Sequence, residues 1–209
     1  MQIDQSETIC ALATPPGIGA IAMIRLSGPK AIEIVQKLFS RDLSKAASHR
    51  ALFGKIMDKD KIIDEVVLLL YRAPHSFTGE DSVEISCHAS PFIQQEILRL
   101  LSENGASLAR EGEFSMRAYL NGKMDLSQAE AVADIIASES AAAHRMAMHQ
   151  MRGGFSRTIS ELRTELINFA SLIELELDFS EEDVEFADRT QLEELLKRLI
   201  EMLGGLRDS

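Results

Sequence analysis

The hydrophobic pattern of this chain changes period once, near Asp125, and that change separates what can fold before it from what can fold after it. Up to that point short β-branched and aliphatic runs alternate with helix-like segments. Thr8 to Ala13 and Ala20 to Leu26 read as strands on either side of Thr14-Pro15-Pro16-Gly17-Ile18-Gly19, a turn cluster in which no helix can propagate. Pro29 suits the first turn of a helix and opens Ala31 to Phe39, with Ile32, Val35, Leu38 and Phe39 on one face. Asp64 to Tyr71 is a dense aliphatic strand, and Ser82 to His88 alternates Val83, Ile85 and Cys87 against Ser82, Glu84 and Ser86. Pro91 starts another helix, running to about Glu103 with Phe92, Ile93, Ile97, Leu100 and Leu101 inward, and Gly105 ends it.

After Asp125 the period is helical throughout. Asp125 or Ser127 can cap a first helix whose seam is Ala129, Ala133, Ile136, Ser140, Ala143 and Ala147, small residues that permit close packing. Gly153-Gly154 breaks it. A second helix carries Ile159, Leu162, Leu166, Phe169 and Ile173, and a third carries Leu192, Leu195, Leu196, Leu199, Leu203 and Leu206. The expectation is an α+β chain: a mixed α/β domain over residues 1–122, then an all-α bundle over 123–209. The third stripe runs almost to Ser209, as it would in an incomplete bundle.

Composition removes several function classes. With 45% hydrophobic and 26% charged residues the chain has the makings of a packed core, which excludes disorder and collagen-like structure. No apolar stretch approaches the ~20 residues of a membrane helix, and Met1 to Glu7 is polar and acidic, so a cytoplasmic protein without membrane contact is expected. The net charge of −11 is uneven: residues 126–209 carry −9 and the first 125 carry −2. So acidic a surface repels phosphate backbones, and the chain alone is not expected to bind nucleic acids generally. Cys10 and Cys87 form no disulfide framework and read as small buried hydrophobes. His144 and His149, five apart, point to different helix faces, and no metal site is expected. No Gly-x-x-x-x-Gly-Lys-Ser/Thr cradle occurs, and Gly17-Ile18-Gly19 lacks the third glycine and the following helix of a dinucleotide site. Eight carboxylates between Glu174 and Asp188 lack EF-hand spacing; they read as a solvated helix end and linker, or as a docking surface for a basic partner.

Three charges in the first half carry more information. Arg25 ends an apolar strand just before Ser27-Gly28-Pro29, Glu84 alternates away from the apolar face of its strand, and Lys123 lies in the turn Asn121-Gly122-Lys123. Each alone reads as a solvated charge. Together they suit one anionic, heteroaromatic ligand: a carboxylate accepts hydrogen bonds from an N–H edge, and cations hold a carboxylate tail.

Five ordered motifs add a resemblance. Ala13-Thr14-Pro15-Pro16-Gly17, Ile24-Arg25-Leu26-Ser27-Gly28, Ser76-Phe77-Thr78-Gly79-Glu80-Asp81, the run from Gly112 to Leu126, and Gln128-Ala129-Glu130-Ala131-Val132-Ala133-Asp134 resemble the MnmE (TrmE) tRNA-modification GTPases, as do Asp178-Phe179 and Glu185-Phe186. Two departures are Ile18, where many members have Arg, and Cys87-His88-Ala89-Ser90 in place of a more glycine-rich run. The resemblance implies an N-terminal domain that binds 5-formyl- or 5,10-methylene-tetrahydrofolate and forms a homodimer, followed by the first part of a helical domain. It carries the folate contacts onto Arg25, Glu84 and Lys123. It places no catalytic residue in this chain, and assigns GTP, magnesium and potassium to a GTPase domain expected beyond Ser209, so that the chain alone should hydrolyse no GTP. It further implies modification of the wobble uridine (U34) of tRNA together with a flavin-dependent partner subunit of the MnmG (GidA) type. The competing expectations are a folate-dependent enzyme resembling the aminomethyltransferase of glycine cleavage, and a pure dimerisation module with a vestigial folate site.

Overall fold

The aliphatic run that ends in Tyr71 grows into the longest strand of a six-stranded sheet. The computed structural model describes residues 6–178 and 189–207. The strands are β1 (Thr8–Leu12), β2 (Ile21–Ser27), β3 (Arg50–Asp58), β4 (Lys61–Tyr71), β5 (Ser82–His88) and β6 (Ala106–Leu108), with helices α1 (Ala31–Leu38), α2 (Pro91–Glu103) and α3 (Glu113–Leu120). The spatial order is β3-β4-β5-β2-β1-β6, antiparallel throughout except for the parallel β1–β6 edge pair. The mixed α/β character is as the alternating pattern requires.

Period-2 alternation sorts the strand side chains onto two faces. Ala22, Ile24 and Leu26 of β2, Val66, Leu68 and Leu70 of β4, and Val83, Ile85 and Cys87 of β5 are buried in one core with Ala31, Ile34, Val35 and Leu38 of α1 and Ile97, Leu100 and Leu101 of α2. The other face carries Met23, Arg25 and Ser27, then Glu65, Val67, Leu69 and Tyr71, then Ser82, Glu84 and Ser86. Phe92 differs from expectation: it is 60% exposed, with the Lys61 ammonium 5.8 Å from its ring, and Gln94 takes the buried position. Gln94 donates to the carbonyl of Gly17 and so ties α2 to the Pro-Pro-Gly loop. Strand β3 carries no clear alternation of its own. Its Gly54 is needed because the Phe39 ring lies where a Cβ would stand, a close approach that only glycine allows within a strand.

The chain divides into two compact units, residues 1–129 and 130–209, and the division falls within α4 (Leu126–Ala137). Asp125 and Gln128 form a reciprocal capping box at its start: the Gln128 N–H donates to Asp125 Oδ1 and the Asp125 N–H to Gln128 Oε1. The continuous first helix expected from the sequence is two helices, α4 and α5 (Ala141–Met151), because Ser140 adopts an extended backbone and caps the Ala143 N–H. The break rotates the pattern, so the expected seam is also corrected. Ala131 and Ala147 are buried, whereas Ile136 is 81% exposed and Ala133 and Ala143 are exposed. Helices α6 (Gly154–Asp178) and α7 (Arg189–Arg207) follow, with Leu162, Phe169 and Leu195 buried and Arg198 paired to Glu165. Leu192, Leu203, Leu206 and the acidic run beyond Glu174 lie outside the described side chains. No described helix is long and apolar enough to cross a membrane.

Candidate functional site

Arg25 and Glu84 are direct cross-strand partners on the face turned away from α1 and α2. Their spacing along β2 and β5 made both alternate outward, and the antiparallel register brings them together. Arg25 donates from Nε (3.0 Å) and Nη2 (2.7 Å) to the same oxygen, Oε1 of Glu84. The other oxygen, Oε2, accepts the Tyr71 hydroxyl at 3.1 Å. Tyr71 stands opposite Ser82 in the β4–β5 ladder, which makes it the diagonal neighbour of Glu84. Burial, then the adjacent Glu84 carboxylate, holds the Tyr71 phenol above its ordinary range, so it remains a neutral donor. The pair is only partly wet: the side chains of Arg25 and Glu84 are 28% and 12% exposed.

Aromatic faces from outside the sheet fix the guanidinium. Phe77, in the loop between β4 and β5, lies 5.4 Å from the Arg25 carbon Cζ, and Phe114 of α3 lies 5.8 Å from it. The 72–81 loop is itself held by a buried polar cluster. Ser27 donates its hydroxyl proton to Glu80 at 2.7 Å, so Thr78, 2.6 Å away, donates to Ser27. Arg117 of α3, completely buried, reaches Glu80, Glu113 and the carbonyl of Glu7. Ser76 donates to the Glu80 carbonyl and Asp81 accepts the Ala73 N–H, which closes the loop at both ends.

Lys123 is not brought to the Arg25–Glu84 pair. Its Nζ donates to the carbonyl of Pro74 at 3.0 Å in an exposed setting, and its stem lies along Gly79. Gly79 has φ +81°, and a Cβ there would come within 3.3 Å of both Lys123 and Asn121, so the loop passes this turn only with glycine. Asn121 fastens the same turn by donating to the Thr78 carbonyl. Lys123 and Arg25 thus flank one loop, at Pro74 and Phe77, without touching.

Tyr71, Phe77, Glu80, Phe114 and Arg117 were given no site role from the sequence, although all but Tyr71 lie within the quoted motifs. Tyr71 had a legible signal, since it continues the outward alternation of Val67 and Leu69 and ends an aliphatic strand with a hydroxyl. The others depend on long-range packing. Elsewhere, Cys10 and Cys87 are buried with their thiols pushed up to about 11, mainly by burial, which leaves them inert at neutral pH. His144 and His149 are exposed. Among the described residues no cluster of three or more His, Cys, Asp or Glu side chains could hold a metal.

Two family models match the chain in tandem. One, described as GTP-binding protein TrmE N-terminus, covers residues 8–123, and the other, described as MnmE helical domain, covers residues 126–209. A protein named tRNA modification GTPase MnmE from Christiangramia forsetii is 59% identical over 208 residues, 98% of this chain and 44% of that protein. Proteins of the same name from Flavobacterium psychrophilum (56% over 207 residues, 97% and 45%) and Bacteroides thetaiotaomicron (55% over 205 residues, 96% and 44%) are similar. The chain therefore spans less than half the length of these curated relatives.

Proposed function

This chain belongs to the MnmE (TrmE) family, and on that premise we propose that it is the folate-binding and dimerising portion of a GTPase that modifies the wobble uridine (U34) of tRNA. The observation that carries the reading is the half-buried Arg25–Glu84 pair set between Phe77 and Phe114 on the open sheet face. These residues fit a reduced folate. A flat heteroaromatic ring with an N–H edge and a carbonyl needs one carboxylate acceptor, one guanidinium donor and an aromatic wall, and this face offers all three. Glu84 would accept from the ring's N–H edge, Arg25 would donate toward its carbonyl, and Lys123 would meet the carboxylate tail at the wet end of the 72–81 loop. Tetrahydrofolate bound there, as the 5-formyl or 5,10-methylene derivative, supplies a one-carbon unit. The protein's part is to hold the ring, keep its polar edge desolvated and leave its tail in water.

The homodimer in this proposal has a suitable surface on the same face. Phe53 is 58% and Val67 41% exposed, and the ladder carries their row across Ser86 to Met23. An isologous contact over that row would cover an apolar patch that water now meets. The tRNA substrate and a flavin-dependent partner subunit belong to the whole-protein activity proposed from the family. GTP hydrolysis is not proposed for these 209 residues, in which the sequence Gly-x-x-x-x-Gly-Lys-Ser/Thr does not occur.

Calorimetric titration with 5-formyltetrahydrofolate tests the reading. Saturable binding is expected, and Glu84→Gln should weaken it roughly thirty-fold or more, the usual cost of leaving a desolvated hydrogen-bonded charge partner unmatched. Unchanged affinity in a folded Glu84→Gln protein would sink the site assignment, and no binding by the parent chain would sink the folate function. Light scattering at micromolar concentration should give twice the monomer mass, and a strictly monomeric mass counts against the dimer.

A further inference from the structure

Arginine and carboxylate side chains that meet side by side ordinarily form a fork, two parallel N–H···O bonds to two different oxygens. Arg25 and Glu84 do not. Both Arg25 bonds, from Nε and Nη2, converge on Oε1, and Oε2 is turned toward the Tyr71 hydroxyl. A carboxylate has about four acceptor positions. Oε1 has spent both of its own on Arg25, Oε2 has spent one on Tyr71, and one acceptor position remains.

We infer that Tyr71 is a positioning residue of the ligand site: by holding Oε2 away from Arg25 it stops the ion pair from closing into a fork and fixes the direction of the Glu84 acceptor position that meets the 2-amino group on the N–H edge of a bound pterin. The inference rests on the folate reading above.

The support around Tyr71 suits such a task. His49 meets the Tyr71 ring edge-on, with centroids 5.3 Å apart and planes at 89°. His49 is fixed in turn: its N–H donates to the Leu70 carbonyl at 2.7 Å and its Nδ1 pairs with the Ser48 hydroxyl at 2.9 Å, while that hydroxyl accepts the Arg72 N–H. His49 keeps this place with φ +61°, a conformation that non-glycine residues adopt uncommonly. Phe77 and Phe114 meanwhile hold the guanidinium of Arg25, so the carboxylate is the member of the pair left free to turn. In Tyr71→Phe nothing opposes that turn. Glu84 rotates Oε2 onto Arg25 and the fork closes; two acceptor positions are then unspent, one on each oxygen, but the one that Tyr71 aimed has turned away from the ligand, without loss of packing.

The test compares parent and Tyr71→Phe chains in titrations with 5-formyltetrahydrofolate and with its 2-desamino-2-methyl analogue, which lacks the amino group of the N–H edge. Tyr71→Phe is expected to weaken the formyl compound about tenfold, as one hydrogen bond to a charged group commits. It should leave the analogue's affinity within about twofold and the thermal midpoint nearly unchanged. An equal loss for both ligands, no loss for either, or an unfolded Tyr71→Phe chain would each overturn the inference, the last by making Tyr71 a residue of the fold alone. A parent chain that binds neither compound overturns the folate reading itself and takes the inference with it, an outcome distinct from the other three.

Discussion

The two faces of the sheet are built from the same strands and obey opposite rules. On the face under α1 and α2 the side chains are aliphatic and fully buried: Ile24, Leu68, Leu70 and Ile85 are all 0% exposed. There, one apolar side chain can replace another if volume is kept, because dispersion and area burial do not depend on which atom is where. On the other face a guanidinium, a carboxylate, a phenol, hydroxyls and two phenyl rings meet within one cluster. Each works through a directed bond, so a single atom decides the outcome. The first face makes the domain stable, and the second is the one on which ligand binding is proposed.

Burial does not follow this division neatly, and the largest expected effect comes from the exception. Arg117 lies in the polar cluster yet is completely buried, between Glu80 and Glu113. Arg117→Met should cost about 3–5 kcal/mol in urea unfolding, since two carboxylates lose the charge that compensates them. A loss below about 1 kcal/mol would mean that Glu80 and Glu113 are solvated on their own, and the polar face would be wet throughout.

Next comes a direct comparison of neighbours on β4. Leu68 faces the covered core and Leu69 the open face beside Glu84. Leu68→Ala is expected to cost about 2–5 kcal/mol by transfer and cavity terms together, and Leu69→Ala clearly less, because its site is only half-buried. Equal costs would show that something covers the open face in solution. The proposed dimer would do so, and repeating both measurements across protein concentrations would reveal it.

How much of this was legible in the chain depended on how locally each feature is determined. The alternation of Ser82 to His88 placed Glu84 opposite the apolar core before any fold was known, and Arg25 on β2 obeyed the same period. Pairing them needed the register of two strands almost sixty residues apart, which no local pattern contains. β3 was not seen, because Gly54 answers to the Phe39 ring and not to strand propensity. The seam through Ala133 and Ile136 failed for a similar reason. Three serine and glutamate residues at 138–140 offered a cap as easily as a helix turn, and the cap won. Helices of this kind also keep large apolar groups exposed, such as Met146 at 61% and Ile200 at 69%, so periodicity there does not identify the buried face. The site was legible residue by residue where it lies on strands, whereas Phe77, Phe114 and Arg117 stood in quoted motifs without a role, because their convergence from a loop and a helix is long-range packing.

The smallest effect is expected at Lys123, and its smallness is informative. Its ammonium bonds the Pro74 carbonyl in an exposed position, while Glu84 sits in a mostly buried pair. An ion pair formed with a ligand tail at such a place is worth little, since water and salt compete for both charges. Lys123→Ala should therefore weaken 5-formyltetrahydrofolate less than about fivefold, against roughly thirty-fold or more for Glu84→Gln. The two should also respond differently to ionic strength. Raising salt from 0.05 to about 0.5 M, which shortens the screening length severalfold, should shrink the Lys123 effect toward nothing and leave the Glu84 effect standing. If Lys123→Ala instead costs as much as Glu84→Gln at both salt concentrations, the ligand draws Lys123 out of water, and the 72–81 loop belongs to the desolvated part of the site.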